Sequence, residues 1–428
     1  MLTPSKSHLV LPGRARLLGL LASLCMLLVL GSAFANPSAS AVDSDKGISI
    51  SLLTVGAGEI YWERFGHNAI VVRDAATGSA ISYNYGIFDF EEADFFLNFL
   101  RGHMRYRIAA NTLQDDVAMY AAEQRWVVEQ ELAFTPAQAR ALKDFLEWNL
   151  RPENAFYRYD YYLANCSTKV RDALDEALGG ILHAQLSSPS RGYTFRLLTD
   201  ALMSPEPMLM VAMDAGLGPF ADRRLSFWDD SFVPMQLMDH LRGVQIQHAD
   251  GSSGPLVLGE TLLAPMLLRE PPAAALDLRW VFFPLGAILG FGLLGLFAQR
   301  DRTWARRSFA GIAFGLSLIA GVAGLILAGL WVFTEHRAAW RNENLLLLSP
   351  LCLLLLPTWW RSARLHWAPS RQATGLAMLI ALGASCALFV KILRAFPQEN
   401  LPWIGLWLPV HLALLWVMYR HISDQTKN

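Results

Sequence analysis

In Asn165-Cys166-Ser167-Thr168-Lys169-Val170-Arg171-Asp172-Ala173-Leu174 a cysteine stands where a polar segment passes into a helical repeat. Val170, Ala173 and Leu174 fall on one face at helical spacing, and Asn165 is an N-cap residue type, so Cys166 is expected at the start of a helix. There the unsatisfied amides and the helix dipole favour a thiolate. The chain has four cysteines, and Cys25, Cys352 and Cys386 all lie inside apolar runs. Cys166 alone belongs to the polar middle region, where it has no disulfide partner.

Working outward, the chain has two characters. Of its 428 residues 53% are hydrophobic and only 17% charged, and the mean hydropathy is positive. A soluble globule carries nearer a quarter charged residues, so much of this chain belongs in lipid. A formal charge of −1 gives no reason to expect nucleic acid. No zinc spacing of the C-x-x-C type occurs, so neither a metal nor another cofactor is expected.

The N-terminus carries Lys6, Arg14 and Arg16, an apolar run from Leu17 to Leu30, and Ala33-Phe34-Ala35. This order predicts a secretory signal over 1–35 with Asn36 as the new terminus. The run is shorter than the ~20 residues of a span. Residues 36–278 are then expected outside the cytoplasm, followed by an all-α membrane domain over 279–428. That domain shows five apolar stretches, at about 280–298, 308–333, 345–360, 373–394 and 402–419. Arg300, Arg302, Arg306 and Arg307 follow the first, and Arg361, Arg364 and Arg371 follow the third. The other two connections hold Glu335, Glu343 and Glu399. The positive-inside rule makes the arginine-rich connections cytoplasmic, with the tail Arg420–Asn428 on the same side. The expected location is the bacterial inner membrane.

The 36–278 region is expected to be α+β. Alternation predicts strands over 47–55, 68–73 and 80–85, with further short strands at 105–109 and 131–134. Helices are expected over 112–123, from Thr135-Pro136 to about Leu150, and from Cys166 to Gly179-Gly180. From about Ser187 to Leu278 the pattern weakens into loops rich in Pro, Met and Gly, with too little periodic signal to assign elements.

A cysteine nucleophile needs a base that titrates near neutrality. His67, His103, His183, His240 and His248 lie in the external region. A single histidine is usually just a hydrogen-bonded core or surface residue. His67 differs by context: it begins the strand Asn68-Ala69-Ile70-Val71-Val72, and Gly66 before it allows close approach of another segment. A third group should orient the imidazole. Asn84 on the next strand, with Ser82 on its face, is the first choice, and Glu59, Glu63 and Asp160 are alternatives.

Four segments, Phe65-Gly66-His67-Asn68-Ala69, Tyr83-Asn84-Tyr85-Gly86-Ile87-Phe88-Asp89-Phe90, Glu129-Gln130 and Tyr159-Asp160-Tyr161-Tyr162-Leu163-Ala164-Asn165-Cys166-Ser167-Thr168, resemble the motif series of the Lnb-type family. The resemblance covers about 48–177, and the membrane half is similar mainly in layout. It implies an extracytoplasmic domain ahead of a multi-helix membrane domain and, from the founding members, lipoprotein N-acyl transfer. The order of strand histidine and helix-start cysteine also resembles the permuted papain-like fold of the NlpC/P60 and lecithin–retinol acyltransferase group.

The resemblance implies Cys166 as nucleophile, His67 as base and Asn84 as orienting group, acting on a membrane lipid or lipoprotein through a thioester. Asn165, Ser167 and Asp160 are neighbouring candidates, including for oxyanion stabilisation with the helix N–H groups. Trp62, Phe95, Phe96 and Trp228 are candidates for an acyl groove, although aromatic runs more often form core. Asn342-Glu343-Asn344 is expected as a solvated loop end, or as a contact to lipid headgroups. The rival functions are a papain-like peptidoglycan amidase or endopeptidase and a non-catalytic envelope sensor or assembly protein.

Overall fold

The computed structural model describes residues 47–91, 94–247, 251–393 and 395–425. The signal segment over 1–35 with Cys25, and His248, lie outside the described residues. The first described part runs β1 (Ile48–Val55), β2 (His67–Asp74), β3 (Ser79–Ile87), α1 (Phe95–Arg101), β4 (Arg105–Thr112), α2 (Leu113–Ala122), β5 (Val127–Leu132), α3 (Pro136–Asn149), β6 (Phe156–Arg158) and α4 (Cys166–Ala177). It continues with α5 (Ile181–Leu186), α6 (Phe195–Met203), α7 (Pro207–Gly216), α8 (Phe227–Asp230), α9 (Pro234–Leu241), the hairpin β7 (Gln245–Gln247) and β8 (Ser253–Pro255), and β9 (Val257–Ala264).

One antiparallel sheet of seven strands, in the order β6-β4-β3-β2-β1-β5-β9, organises this part. Alternation along the central strands assigns two faces. Ile50, Leu52, Ile70, Val72, Tyr83 and Tyr85 pack against Leu142 and Leu146 of α3 and Val170, Ala173 and Leu174 of α4. Leu53, Val55, Ala69 and Val71 pack on the other face against Leu113 and Tyr120 of α2. Thr135 caps α3 through a capping box with Gln138, with Pro136 at its first position.

The expected strand at 131–134 is displaced. The paired residues are Val127–Leu132, with both neighbours in the sheet. In 187–278, where the sequence pattern assigns no elements, the described residues form α6 to α9, the β7–β8 hairpin and β9, which pairs with β5 at the sheet edge. Exposed residues on β9 gave it no clean alternation, and only the long-range pairing identifies it.

The helical part comprises α10 (Arg279–Ala298), α11 (Thr303–Phe333), α12 (Leu356–Arg361), α13 (Arg371–Phe389) and α14 (Leu401–Gln425). Among the described residues four helices, α10, α11, α13 with the turn after it, and α14, are long and apolar enough to cross a membrane. The third expected span, 345–360, is not one continuous helix. It is a pair of helical pieces, Arg337–Leu346 and Pro350–Arg361, bent by 43°. Its sequence Leu347-Leu348-Ser349-Pro350 explains the break: Pro350 has no amide to donate, and Ser349 caps the next turn. Small residues bring α10 and α14 together. A Cβ on Gly290 would sit 3.1 Å from the Pro409 carbonyl oxygen, and one on Gly286 would overlap the Gly405 backbone.

Candidate thiol site

Cys166 is the first residue of α4, as its spacing predicts. Asn165 accepts the Thr168 amide at 2.9 Å, and the Thr168 hydroxyl accepts the Asn165 amide at 2.8 Å. The Lys169 amide bonds to the Asn165 carbonyl. This cap leaves the Cys166 and Ser167 amides of the first turn for other partners. The backbone amides of Ser167 and Asn68 lie beside the sulfur and favour its ionised form.

His67 opens β2, so its side chain belongs to the face opposite α4. The thiol and the imidazole meet around the end of the sheet. Two glycines make that possible. Gly66 has φ +80°, and a Cβ there would lie 2.7 Å from both Met235 Sδ and the Val55 carbonyl oxygen. Gly86 has φ +93°, and its Cβ would lie 3.4 Å from Cys166 Cβ. The β3–β4 register slips beside it, between Asn84 and Ile87, bending the strand around the thiol.

His67 Nε2 lies 2.9 Å from Asn84 Oδ1. The β2–β3 register pairs Ala69 with Asn84, so the amide is the diagonal neighbour of His67 on one face. Asn84 Nδ2 donates to Asp116 Oδ2 at 2.7 Å, which fixes the amide's orientation. Its oxygen can only accept, so the proton of a neutral imidazole is on Nε2 and the Nδ1 lone pair is left for the thiol.

Asp116 is buried and also receives Asn111 Nδ2 at 2.7 Å and the Ser82 hydroxyl. Sequence reasoning missed it. Its only signal was a polar residue on the buried side of α2, facing the Ser82–Asn84 side of β3.

Burial pushes the Cys166 thiol up. The charge of His67, its hydrogen bond and the two backbone amides more than reverse this and leave it below the ordinary thiol value. Burial likewise pushes His67 down, yet the facing thiolate and the bonds to Cys166 and Asn84 bring it above the ordinary imidazole value. The two shifts are one interaction, a thiolate beside an imidazolium.

The other sequence candidates are engaged elsewhere. Asn165 Nδ2 donates to the Phe232 and Tyr161 carbonyls at 2.8 and 3.1 Å, so its side chain builds the cap and not an oxyanion site. The Ser167 hydroxyl is fully buried between Ser231 O and Asn68 Oδ1. Asp160 Oδ1 accepts the Tyr162 and Leu163 amides, each at 3.0 Å, and shapes the loop before Cys166. Glu63 and exposed Glu59 belong to the β1–β2 loop, and Asn84 holds the imidazole nitrogen in their place. Gln130 binds Glu260 and the Met238 carbonyl, while Glu129 pairs with Arg73. Those motif residues lock strands together. His103 pairs with Glu335, His183 packs on Trp228, and His240 bonds to Asp230 at 2.6 Å.

The thiol opens into a cavity of about 370 Å³. Trp62, Phe99, Leu100 and Tyr161 supply one wall, and Leu330, His336, Ala338 and Ala339 supply another. The second wall comes from the C-terminal end of α11 and the segment after it. Burial holds His336 below the ordinary imidazole value, so it lines the cavity as a neutral ring. Of the expected groove aromatics only Trp62 lies here. Phe95 and Phe96 form a neighbouring cluster with Phe88 and Phe90, and Trp228 stacks under Arg171 at 3.8 Å.

The segment Asn342-Glu343-Asn344 corrects both of its readings, because all three residues are buried. Asn342 Nδ2 donates to the Ala215 and Gly216 carbonyls at 2.8 and 3.0 Å, and Asn344 Nδ2 to Ala215 at 3.1 Å. Gln398 bonds to Asn342, to the Glu343 amide and to the Leu217 carbonyl. Trp403 Nε1 of α14 donates to Asp214 at 2.6 Å, and Asp214 also pairs with Arg196. Loop carbonyls at the α7 C-terminus are thus clasped to the helical part.

An α/β domain with a paired thiol and imidazole, clasped to a set of membrane-length apolar helices, defines a membrane-anchored protein with a built polar site at the domain junction. Residues 34–201 match the Lnb N-terminal periplasmic domain and residues 277–425 match the Lnb transmembrane domain. The chain belongs to the Lnb family, with an extracytoplasmic N-terminal domain. No curated protein and no solved structure matches it.

Proposed function

We propose that this protein is a thiol-dependent acyltransferase acting on a lipid-linked substrate, with intramolecular N-acyl transfer on a lipoprotein as its reaction. The observation that carries this reading is the single cavity in which Cys166 faces an apolar wall built from both domains. A peptidoglycan peptide is polar and would find little to bind on such a wall, which disfavours the amidase reading. A sensor has no need of the His67–Asn84–Asp116 chain that holds the imidazole in one tautomer.

The steps follow from the groups present. Cys166 thiolate attacks the ester carbonyl, and the Cys166 amide at the helix start stabilises the oxyanion. His67 imidazolium protonates the leaving glyceryl oxygen as the C–O bond breaks, leaving an acyl thioester. The incoming amine then attacks that carbonyl, His67 takes its proton, and the C–S bond breaks to release the amide and the thiol. Asn84 holds the ring, and Asp116 holds Asn84.

The same reading takes the domain as a permuted papain-like thiol fold, supported by the order of strand histidine before helix-start cysteine. It also takes the bent pair as the middle one of five crossings, in the inner membrane, with the tail cytoplasmic. Two contacts support this orientation. The connections at 334–344 and 396–400 both touch the sheet domain, and Arg306 bonds to the Ala363 carbonyl at 3.0 Å, joining the two arginine-rich ends.

The test is expression of wild type and Cys166→Ala in a strain lacking its own lipoprotein N-acyltransferase, with lipoprotein N-termini read by mass spectrometry. N-acylated termini from wild type alone are expected. Unmodified termini from both proteins would remove the reading.

A further inference from the structure

Helix α1 presents large apolar side chains outward: Phe96 is 68% exposed and Leu100 64%, with Leu97 also exposed. The patch extends through ring contacts, from Phe96 to Phe90 at 6.4 Å and from Phe90 to Trp62 at 6.2 Å. An apolar surface of this kind in water marks a partner or a membrane.

Its position selects the membrane. The Glu335 amide donates to the Arg101 carbonyl at 2.8 Å, and His336 Nε2 lies 2.9 Å from the Phe99 carbonyl oxygen. A Cβ on Gly102 would lie 2.9 Å from the Glu335 backbone, so only glycine lets the chain come this close. The C-terminal end of α1 is therefore tied to the residues directly after α11. That end of α11 exposes Trp331, Val332 and Phe333, the last at 80%, as a helix surface facing lipid does. The apolar surface of α1 continues the lipid-facing surface of a membrane helix. Leu100 of α1 and Leu330 of α11 both line the Cys166 cavity, which places its mouth at the seam between the two helices.

We propose that α1, with Phe90 and Trp62, is an interfacial platform inserted into the outer leaflet of the membrane that this chain spans, and that the seam between α1 and α11 is the passage for an acyl chain from that leaflet to the Cys166 cavity. Short amphipathic elements with aromatic residues lie at this depth, their apolar side among the upper acyl segments. The proposal rests on the acyl-transfer reading only for what happens to the chain once inside.

The test places the photoreactive residue p-benzoylphenylalanine at Phe96 or Leu97 in the full-length protein, reconstituted in vesicles of phosphatidylethanolamine and phosphatidylglycerol. Ala76 is the control: it is exposed in the turn between β2 and β3, at the end of the sheet remote from His67. Strands of eight residues put that turn roughly 25 Å from the site end. Irradiation should give phospholipid adducts, read by intact mass, at 96 and 97 but not at 76. The same adducts should form in the Cys166→Ala background, so loss of acyl transfer leaves this result untouched. Adducts at 96 and 97 no more abundant than at 76, or cross-links to protein only, would overturn the platform while leaving the thiol chemistry standing.

Discussion

The Cys166 sulfur sits where opposing electrostatic effects meet, and its chemistry depends on which wins. Burial alone would keep a thiol protonated, and His67 with two backbone amides reverses that. Because the folded value lies below the ordinary one, the thiolate fraction rises at lower pH than for a free cysteine. His67→Ala removes the two largest stabilising contributions and leaves burial dominant, so the rise should move to higher pH. Measuring the rate of iodoacetamide labelling of Cys166 across pH checks this, and an unchanged profile would refute the pairing. Loss of the base should also slow acyl transfer by about 100- to 10,000-fold. His67 and Cys166 can be singled out because each falls at a defined place in the sequence, whereas Asn84 is the first of several candidates until its contact with His67 distinguishes it. Asp116 cannot, since its role depends on α2 packing over β3.

Among the elements, α10 and α14 pack with close backbone approach in the membrane half, and that contact depends on glycine. In lipid, helices associate through close backbone approach with little help from hydrophobic exclusion. Gly286 faces the Gly405 carbonyl, whereas a Cβ on Gly292 of the same helix would meet no neighbour within 4 Å. Gly286→Leu should therefore lower stability by about 1–3 kcal/mol or more through overpacking. Gly292→Leu should change it by less than about 0.5 kcal/mol. Thermal denaturation of the two variants in detergent distinguishes them, and equal melting temperatures would contradict the packing. The four long helices were readable from their apolar length. The third stretch is a bent pair and not one helix, because hydropathy counts apolar residues and takes no account of the amide missing at Pro350.

For the whole molecule, the clasp between α7 and the loops at 342–344 and 396–400 joins a sheet domain to a set of membrane helices. Asn342 is its centre, donating to two α7 carbonyls and accepting from the Asn344 amide and Gln398. Asn342→Ala takes a partner from each of these buried groups, although Ala215 keeps Asn344 and Gln398 keeps the Leu217 carbonyl, at a cost of about 1–3 kcal/mol. Deuterium uptake should rise together in 207–217 and 396–400, because both segments lose a partner in one step. Uptake rising in one of them alone would show that the clasp is not a single unit.

The division of information follows from the range of the forces involved. Local patterns in the chain determined the apolar helices, the central strands, the α4 cap and the placement of Cys166 at its start. These depend on neighbours within a turn or on strict alternation. Tertiary structure decided that β9 closes the sheet, that Asp116 anchors Asn84, and that Asn342 is buried in a joint. It also decided that the wall opposite the thiol comes from the membrane half. Each of these pairs residues far apart in the chain, where composition and periodicity carry no record of the partner.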